Sequence, residues 1–445
     1  MADNLKARTA LIVLVACGLL IELMILTFYA VPAGGESVIG FILVHTGMFA
    51  VLGFLWWQRA RLLDASPAVR TVVLAFAILF RISLLPHLPV CSEDIYRYIW
   101  DGKVIAHGIN PYAYAPDDPR VAHLASPLLR ANVNHQSLGT VYPPLAEVFF
   151  AGAYYLAGES VIGFKFLFVL LDVGSLLLLG WLLRRSGRSD AGVILYAWSP
   201  LPILYGALDG HVDLLGIPFL VLALVAISRE RHVLSALAAA GGALVKLHPI
   251  IIAPLYLRSG PWRRSVAAFL MAVLLFVVAY LPFASHLGDE IRWLRQFGDN
   301  WEFNGGIFSL VFAVLGDNQK AHIVMNVFLL LWIGWLTVRR MDFTEKVFLS
   351  LLGLILFSPL VHPWYLLWLA AIVAVRWSTS VFMFLGLSVI SNIVVYRYVT
   401  TGLWVDDPWL VALQYVPFLL ALAWEWNSAV AGGRLRFFYE RIKHG

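Results

Sequence analysis

The sequence predicts an all-α, polytopic integral membrane protein whose residues 1–445 form a single transmembrane domain. Hydrophobic residues make up 61% of the 445 residues and charged residues only 13%, and the mean hydropathy is +0.81. A water-soluble domain of this length cannot bury so much apolar surface, so lipid must cover part of it. The apolar runs are continuous rather than alternating, which indicates membrane helices and not barrel strands. We therefore expect about 12–14 transmembrane helices.

The positive charges predict how the chain crosses the membrane. The net charge of +5 arises mostly in short arginine-rich segments, which are typical of cytoplasmic loops and not of a nucleic-acid site. The first apolar run, near 10–31, is longer than a signal-peptide core and ends at no clear cleavage site, so we expect it to be retained. The basic segments 184–188 and 434–443 then lie inside. On this path the loops at 87–141 and 285–305 face the extracytoplasmic side.

The same path predicts three features inside the apolar runs. The segment 142–157 follows two prolines and is expected to be re-entrant or interfacial, because only one net crossing is needed before the next basic cluster. A helix break is expected at 246–249, since proline interrupts helices. Lys165 and Asp172 lie seven residues apart in one span, and we expect them to form a structural ion pair.

The long loop at 87–141 begins with a predicted helix over 92–107, lying along the membrane surface. Ser92 is a suitable N-cap, and Gly108 followed by an Asn-Pro pair is a suitable stop. Successive side chains three and four residues apart share one face of a helix. The residues that share a polar face here are Asp94, Arg97, Tyr98 and Asp101.

The carboxylates of this predicted helix have two interpretations. Either Asp94 or its neighbour Glu93 is a general base that faces an external substrate. Alternatively, acidic residues in the first turn favour the helix dipole, and Asp94 with Arg97 forms a surface pair of almost no energetic value. The spacing alone favours the second interpretation.

Other polar residues interrupt the apolar runs on the same predicted side. Lys246 and His248 lie in an apolar stretch, where a cation usually faces a cavity or an anionic partner such as a lipid-linked phosphate; the alternative is that Lys246 extends to the interface. His362 either contacts phosphate or anchors the chain at the interface. Asp209, His211 and Asp213 alternate in a short turn, where they bind a metal, orient a sugar or cap two helix ends.

Several motifs are absent from the sequence. It contains no Walker loop, dinucleotide fingerprint, HExxH motif or zinc-binding Cys/His spacing. These absences argue against an ATP-driven pump and against a nucleotide-sugar enzyme of the soluble type. We expect no cofactor and no metal site, although dependence on a divalent cation stays possible.

Four groups of residues resemble bacterial GT-C glycosyltransferases, and most closely the polyprenyl-phosphate-mannose-dependent mannosyltransferases. The most distinctive string is Ser-Glu-Asp-Ile-Tyr-Arg-Tyr-Ile-Trp-Asp-Gly-Lys-Val at 92–104, followed by Gly-Ile-Asn-Pro-Tyr at 108–112. The later strings are Val-Tyr-Pro-Pro-Leu-Ala at 141–146, Gly-His-Val-Asp at 210–213 with Lys-Leu-His-Pro at 246–249, and Ser-Pro-Leu-Val-His-Pro-Trp-Tyr at 358–365. The resemblance therefore covers most of the chain.

The resemblance implies a GT-C-like fold with a long first catalytic loop and a juxtamembrane helix. The implied reaction is an inverting, metal-independent or weakly metal-dependent transfer of a sugar from a polyprenyl phosphate to a hydroxyl of a glycan, lipid or protein. Such a transfer needs a base on the acceptor side and charge stabilisation for the leaving phosphate. Asp94 is the implied base, although Glu93 directly precedes it and which carboxylate points inward stays open. The residues implied at the donor phosphate are Lys246, His248, His362 and Arg97, and those implied at the substrate are Tyr98, Asp101, Tyr142, His211 and Asp213.

Two other function classes stay open. A multi-pass transporter or lipid-linked-glycan flippase also needs about a dozen helices and intramembrane charges, but the two halves of the sequence show no clear repeat. A membrane scaffold or assembly subunit is the third class. For the transferase we expect a plasma-membrane location, an active site on the extracytoplasmic (periplasmic) face, and the lipid bilayer but no nucleic acid among its partners.

Overall fold

The fold is described from a computed structural model, which covers residues 2–32, 34–63, 66–187 and 190–431. Throughout these ranges the regular secondary structure is helical, and the only extended pairing is an isolated bridge between 303–304 and Leu360. The prediction of an all-α membrane protein is confirmed. Arg188 and the basic segment 434–443 lie outside the described residues.

The described chain contains twenty α-helices. The first ten are α1 (Ala2–Leu26), α2 (Gly35–Trp57), α3 (Arg59–Leu62), α4 (Pro67–Leu84), α5 (Asp94–Ala106), α6 (Pro127–Asn132), α7 (Pro144–Ala157), α8 (Val161–Arg185), α9 (Ile194–Ala197) and α10 (Asp213–Ile227). The other ten are α11 (His232–Val245), α12 (Trp262–Tyr280), α13 (Leu287–Asn300), α14 (Gly306–Leu315), α15 (Asn318–Val338), α16 (Phe343–Phe357), α17 (Leu367–Val375), α18 (Thr379–Leu387), α19 (Asn392–Thr401) and α20 (Pro408–Ala431). A π-helix spans Leu201–Leu208, and a 3₁₀ segment spans His248–Arg258.

Eight helical segments of the described chain are long and apolar enough to cross a membrane. They are Arg8–Ala30, Gly35–Trp57, Pro67–Leu84, Val161–Arg185, Trp262–Asp299, Asn318–Val338, Thr379–Thr401 and Pro408–Ser428. The expected number of transmembrane helices was about 12–14, whereas the described ranges contain these eight and four shorter apolar helices, including α10 and α11. Helix α10, with 15 residues, rises only about 22 Å, less than the hydrocarbon thickness. Most of its side chains are buried in the bundle.

Two of the three features expected inside the apolar runs are the helix break at 246–249 and the re-entrant or interfacial segment at 142–157. Helix α11 ends at Val245, and Lys246 has extended backbone before the 3₁₀ segment, so the predicted break at 246–249 is confirmed. The segment expected to be re-entrant or interfacial is α7, a 14-residue helix too short to span the bilayer alone. The second predicted loop, 285–305, is largely the helix α13.

The expected ion pair between Lys165 and Asp172 is wrong. Asp172 instead bonds Arg81 of α4 and the hydroxyl of Tyr196, and the Arg81 and Asp172 side chains are both fully buried. Lys165 donates to the carbonyls of Leu84 and His87. The last carbonyls of a helix lack partners within it, so Lys165 caps the end of α4.

We expect Asp172→Ala to destabilise the protein by about 3–5 kcal/mol, because it leaves the buried Arg81 charge without its partner. The double variant Arg81→Met with Asp172→Leu should recover most of this loss, which thermal unfolding in detergent would measure. Lys320→Met is the matched control, since it removes an exposed ion pair with Asp317 and should leave the unfolding temperature nearly unchanged. Equal losses in the single and double variants would contradict the expectation.

Candidate active site

Helix α5 carries the predicted polar face. It begins at Asp94 and ends at Ala106, close to the predicted 92–107. The N-cap residue is Glu93, which makes no side-chain cap, and not the predicted Ser92, whose hydroxyl accepts a hydrogen bond from the Asp94 amide. Gly108 has a positive φ of 75° just after the helix, as predicted for the stop.

The position of α5 differs from the prediction of a helix lying along the surface. Most of its residues, including Ile95, Arg97 and Asp101, are buried, and it packs closely against α7. Gly102 permits this approach, because a Cβ atom there would lie 2.2 Å from the backbone oxygen of Phe150. The polar face is therefore enclosed, and the interpretation of α5 as a solvated helix is wrong.

We expect Gly102→Ala to push α5 away from α7, with a loss of about 1–3 kcal/mol in stability and a larger loss of activity. Gly152→Ala on the facing helix α7 is the matched control, since a Cβ there meets no atom within 4 Å. Thermal unfolding and a transfer assay on both variants would check this. Normal activity of Gly102→Ala would show that the close contact does not position α5.

Asp94 lies among polar groups from three segments. Its Oδ1 accepts a 2.8 Å hydrogen bond from Asn134 Nδ2, and its Oδ2 lies 3.6 Å from His211 Nδ1. Burial raises the pKa of Asp94, while the Asn134 hydrogen bond and the positive charge of Lys246 oppose the rise. Glu93 is exposed. The structure thus places Asp94, and not Glu93, beside His211.

Lys246 forms the cationic part of the same cluster. Its Nζ lies 2.7 Å from Asp213 Oδ2, and the other oxygen of Asp213 accepts a hydrogen bond from Trp368 Nε1. The ammonium also sits 4.1 Å from the ring centre of Tyr365, a cation–π contact. Asp213 is fully buried, whereas Lys246 stays partly accessible. The cation is therefore fixed in place and can still contact a bound anion.

Four rings form a continuous stack along one side of the site. The rings of His211 and Trp364 are 4.1 Å apart, those of Trp364 and His362 are also 4.1 Å apart, and His362 lies 4.7 Å from Phe303. Burial, with the nearby Lys246 charge, lowers the pKa of His211 well below its usual value and that of His362 to about 3. Both shifts favour the neutral imidazole, which has one nitrogen that donates a hydrogen bond and one that accepts.

His211 has free hydrogen-bonding capacity. Its side chain is 1% exposed, yet neither ring nitrogen has a hydrogen-bond partner within the described part of the chain. A buried polar group without a partner is costly. A substrate hydroxyl bound beside Asp94 can satisfy His211.

The remaining predicted site residues lie around this centre. The hydroxyl of Tyr98 accepts a hydrogen bond from the Val212 amide, and its ring packs 5.2 Å from that of Tyr142. Arg97 pairs with Asp101 at 3.0 Å and donates to the Leu138 carbonyl, so both residues also brace the loop.

Two of the predicted phosphate ligands have further contacts. Arg97 keeps one buried nitrogen, Nη2, without a partner among the described residues, so its predicted contact with phosphate stays a prediction. His248 lies 5.2 Å from the ring of Trp368 and 5.9 Å from that of Tyr365. It therefore shares its aromatic neighbours with the Lys246–Asp213 pair.

The three polar residues of the turn at 209–213 do not all face the site. Asp209 accepts hydrogen bonds from the amides of Val90 and Cys91, which fixes the start of the loop, whereas His211 and Asp213 face the site. Across the described ranges no group of three or more His, Cys, Asp or Glu side chains is placed to hold a metal ion. The hypothesis that this turn binds a metal therefore gains no support from the geometry.

Several residues of the site have no role in the sequence-based predictions. Asn134 supports Asp94 across 40 residues of sequence, and Trp368 supports Asp213 across 155. The mostly polar stretch at 132–137 is a local sequence signal for Asn134. Trp364 and Tyr365 lie in the string at 358–365, and their contacts with His211 and Lys246 join them to other segments.

Comparisons with known proteins give independent evidence of identity. Residues 14–258 match the family described as alpha-(1->6)-mannopyranosyltransferase, N-terminal domain, and this region contains every site residue discussed above up to His248. The chain is similar to alpha-(1->6)-mannopyranosyltransferase A of Mycobacterium tuberculosis, with 23% identity over 378 residues that cover 77% of this chain and 72% of the relative. No solved structure matches the chain. The chain therefore belongs to this family of mannopyranosyltransferases, and it is a multi-pass membrane glycosyltransferase.

Proposed function

We propose that the protein transfers mannose from a polyprenyl-phosphate donor to a hydroxyl of a glycan, on the extracytoplasmic side, with Asp94 as the general base. The observation that supports this most directly is that one cluster contains both a partly accessible carboxylate, Asp94, and a partly accessible cation, Lys246, which is held by Asp213. The linkage named for the relative, alpha-(1->6), is the linkage we propose for the product. The attacking group is then the primary hydroxyl of a mannose residue.

The proposed step balances as a single displacement at the anomeric carbon. The acceptor oxygen attacks C1 of the donor mannose and gives its proton to a carboxylate oxygen of Asp94. The C1–O bond to phosphate breaks, and its electron pair leaves with the polyprenyl phosphate. Because the attack inverts C1, an alpha-linked product requires a beta-linked donor. A phosphate leaving group needs cations more than a general acid.

The residues divide between the two substrates. Lys246, held by Asp213, stabilises the negative charge that develops on the leaving phosphate. Neutral His248 and His362 donate hydrogen bonds to the same phosphate. His211 stands between the two sides, since its ring touches Trp364 and its Nδ1 faces Asp94. It is therefore placed to bond a hydroxyl of the transferred mannose.

The proposed side of the membrane follows from the polarity of the helices. The arginine-rich end of α8 lies at Arg184 and Arg185, and the opposite end of the same helix carries Lys165, next to the start of the loop. The positive-inside rule places the arginines in the cytoplasm. Asp94 and Lys246 would then face the extracytoplasmic side.

A vesicle assay tests donor and side together. Membranes from cells that overproduce the protein receive radiolabelled polyprenyl-phosphate-mannose and a charged mannoside acceptor that cannot cross the bilayer. We expect label in the acceptor only when the extracytoplasmic face is outward. Transfer from GDP-mannose in membranes freed of polyprenyl phosphates, or transfer only in vesicles of the opposite orientation, would overturn the proposal.

A further inference from the structure

A cavity lies between α4, α8 and the start of α9, near the arginine-rich end of α8. Its volume is about 130 Å³, and a protein cavity of similar volume can bind a small hydrocarbon. Two arginines and no carboxylate line it, and its other walls are apolar or glycine. The lining residues are Leu63, Val69, Arg70, Val73, Leu74, Leu176, Leu177, Gly180, Arg184, Val193 and Ile194.

The cavity extends from the arginines into the membrane. Arg70 lies in the first turn of α4 and Arg184 in the last turn of α8, so both cations belong to the same end of the cavity. The lining of α8 runs from Arg184 back to Leu176, a rise of about 12 Å. Because the side chain of Leu177 is 57% exposed, a hydrocarbon chain can enter from the lipid beside α8.

Arg184 lies over Gly180 at the cationic end. Its Nη1 is 3.4 Å from the position that a Cβ atom at Gly180 would occupy, and Cγ2 of Val193 is 3.6 Å from the same position. The absence of a side chain at Gly180 therefore leaves space between the guanidinium and the apolar wall. Arg184 is exposed, and no ion pair between described residues includes it. Its charge is available to a ligand.

The three segments around the cavity are joined to one another deeper in the membrane. Asp172 of α8 bonds Arg81 of α4 and the hydroxyl of Tyr196 in α9. The lining residues Val193 and Ile194 lie just before Tyr196 in the chain. A ligand in the cavity would therefore fill the space between segments that the Asp172 contacts already hold together, and would favour their packed state.

We propose that the cavity binds one acyl chain of an anionic phospholipid, whose phosphate pairs with Arg184 beside Arg70, and that this lipid stabilises the packing of α4, α8 and α9. A free phosphate would gain nothing from the apolar walls, and a hydrocarbon alone would gain nothing from the arginines. Guanidinium groups bind phosphate through paired N–H donors, and basic pockets between membrane helices bind anionic head groups. The positive-inside rule places these arginines in the cytoplasmic leaflet, at the end of α8 away from Lys165.

The test uses the full chain purified in a neutral detergent. Native mass spectrometry measures the affinity for phosphatidylglycerol, and thermal unfolding measures the stabilisation. We expect phosphatidylglycerol to raise the unfolding temperature by about 2–4 °C more than zwitterionic phosphatidylcholine does. Arg184→Gln should weaken the binding of phosphatidylglycerol about fivefold, the loss expected of one arginine near an anionic lipid. Gly180→Leu places a side chain in the cavity and should abolish the stabilisation.

Each variant has a matched control in α8. Arg185→Gln removes the adjacent charge, which lies over the ring of Trp181 and does not line the cavity, so the affinity should stay nearly unchanged. Gly174→Leu adds the same side chain at a position where a Cβ atom meets no atom within 4 Å, and it should keep the stabilisation by lipid. Since Arg184 is exposed, Arg184→Gln provides a test even if Gly180→Leu fails to fold.

Three results would overturn the lipid site. They are equal stabilisation by the two phospholipids, equal losses of affinity in Arg184→Gln and Arg185→Gln, and tighter binding of a polyprenyl phosphate than of phosphatidylglycerol. None of them bears on the proposed transfer reaction, because Asp94 and Lys246 do not line this cavity.

Discussion

We expect Asp94→Asn to reduce the kcat of sugar transfer by about 10³-fold, while the protein stays folded. A positioned general base contributes roughly 10²–10⁴-fold, and asparagine keeps the shape of aspartate but cannot take the acceptor proton. Because Asn134 donates to Asp94, the side-chain oxygen of the new asparagine can still accept this bond. The matched control is Glu93→Gln, which removes the adjacent exposed carboxylate and should leave transfer nearly unchanged. The reverse result would assign the base to Glu93.

The pH dependence gives a second readout for Asp94. A base works in its deprotonated form, so activity falls as the pH drops through its pKa. Since burial raises the pKa of Asp94, the acidic limb of kcat/KM should lie above the usual range of an aspartate. The hydrogen bond from Asn134 lowers this pKa, so Asn134→Ala should move the acidic limb to higher pH. An unmoved limb would show that another group controls it.

We expect Lys246→Met to reduce kcat by about 10²–10³-fold, the usual loss when one group that stabilises a developing anion is removed. It also leaves Asp213 buried without its cation, which should cost about 3–5 kcal/mol of stability. The two effects are separable. Lys246→Met combined with Asp213→Asn removes the unpaired charge and should recover stability, but transfer should stay lost.

A second ion pair provides the control for Lys246. Lys103 and Glu159 also lie 2.7 Å apart, at the opposite end of α5. Lys103→Met combined with Glu159→Gln should therefore reduce stability slightly and keep most of the transfer activity. If that double variant lost transfer as completely as Lys246→Met, the loss would reflect a disturbed loop and not missing charge at the phosphate.

The sequence predicted those parts of the protein that depend on local signals. The end of helix α5 follows from Gly108, and the break before the 3₁₀ segment follows from Pro249. The enclosure of α5 was not predictable, because it depends on a contact between Gly102 and the backbone of Phe150 that no periodicity reveals. Helix α13 carries apolar residues at helical spacing, but its many charges favoured a loop.

In the candidate site, too, local signals were predictable from the sequence and contacts between distant segments were not. Residue types identified Asp94 and Lys246 as unusual, since charges are rare beside apolar runs. The partners that give them a role lie far away in sequence, as Asn134 and Trp368 do. The predicted pair of Lys165 with Asp172 was wrong for the same reason. Lys165 donates to the free carbonyls at the end of α4, and these carbonyls lie near Lys165 only because α4 and α8 pack together.

The buried contact of Arg81 with Asp172 and Tyr196 also constrains how the protein is made. Asp172 lies near the midpoint of α8, where an unpaired charge costs about 2.5–3.5 kcal/mol during insertion. Arg81 is synthesised 91 residues before Asp172, and Tyr196 is synthesised 24 residues after it. The contact with Arg81 and Tyr196 offsets this cost, so we expect α8 to be more stable in lipid once it has packed against α4 and α9 than it is alone.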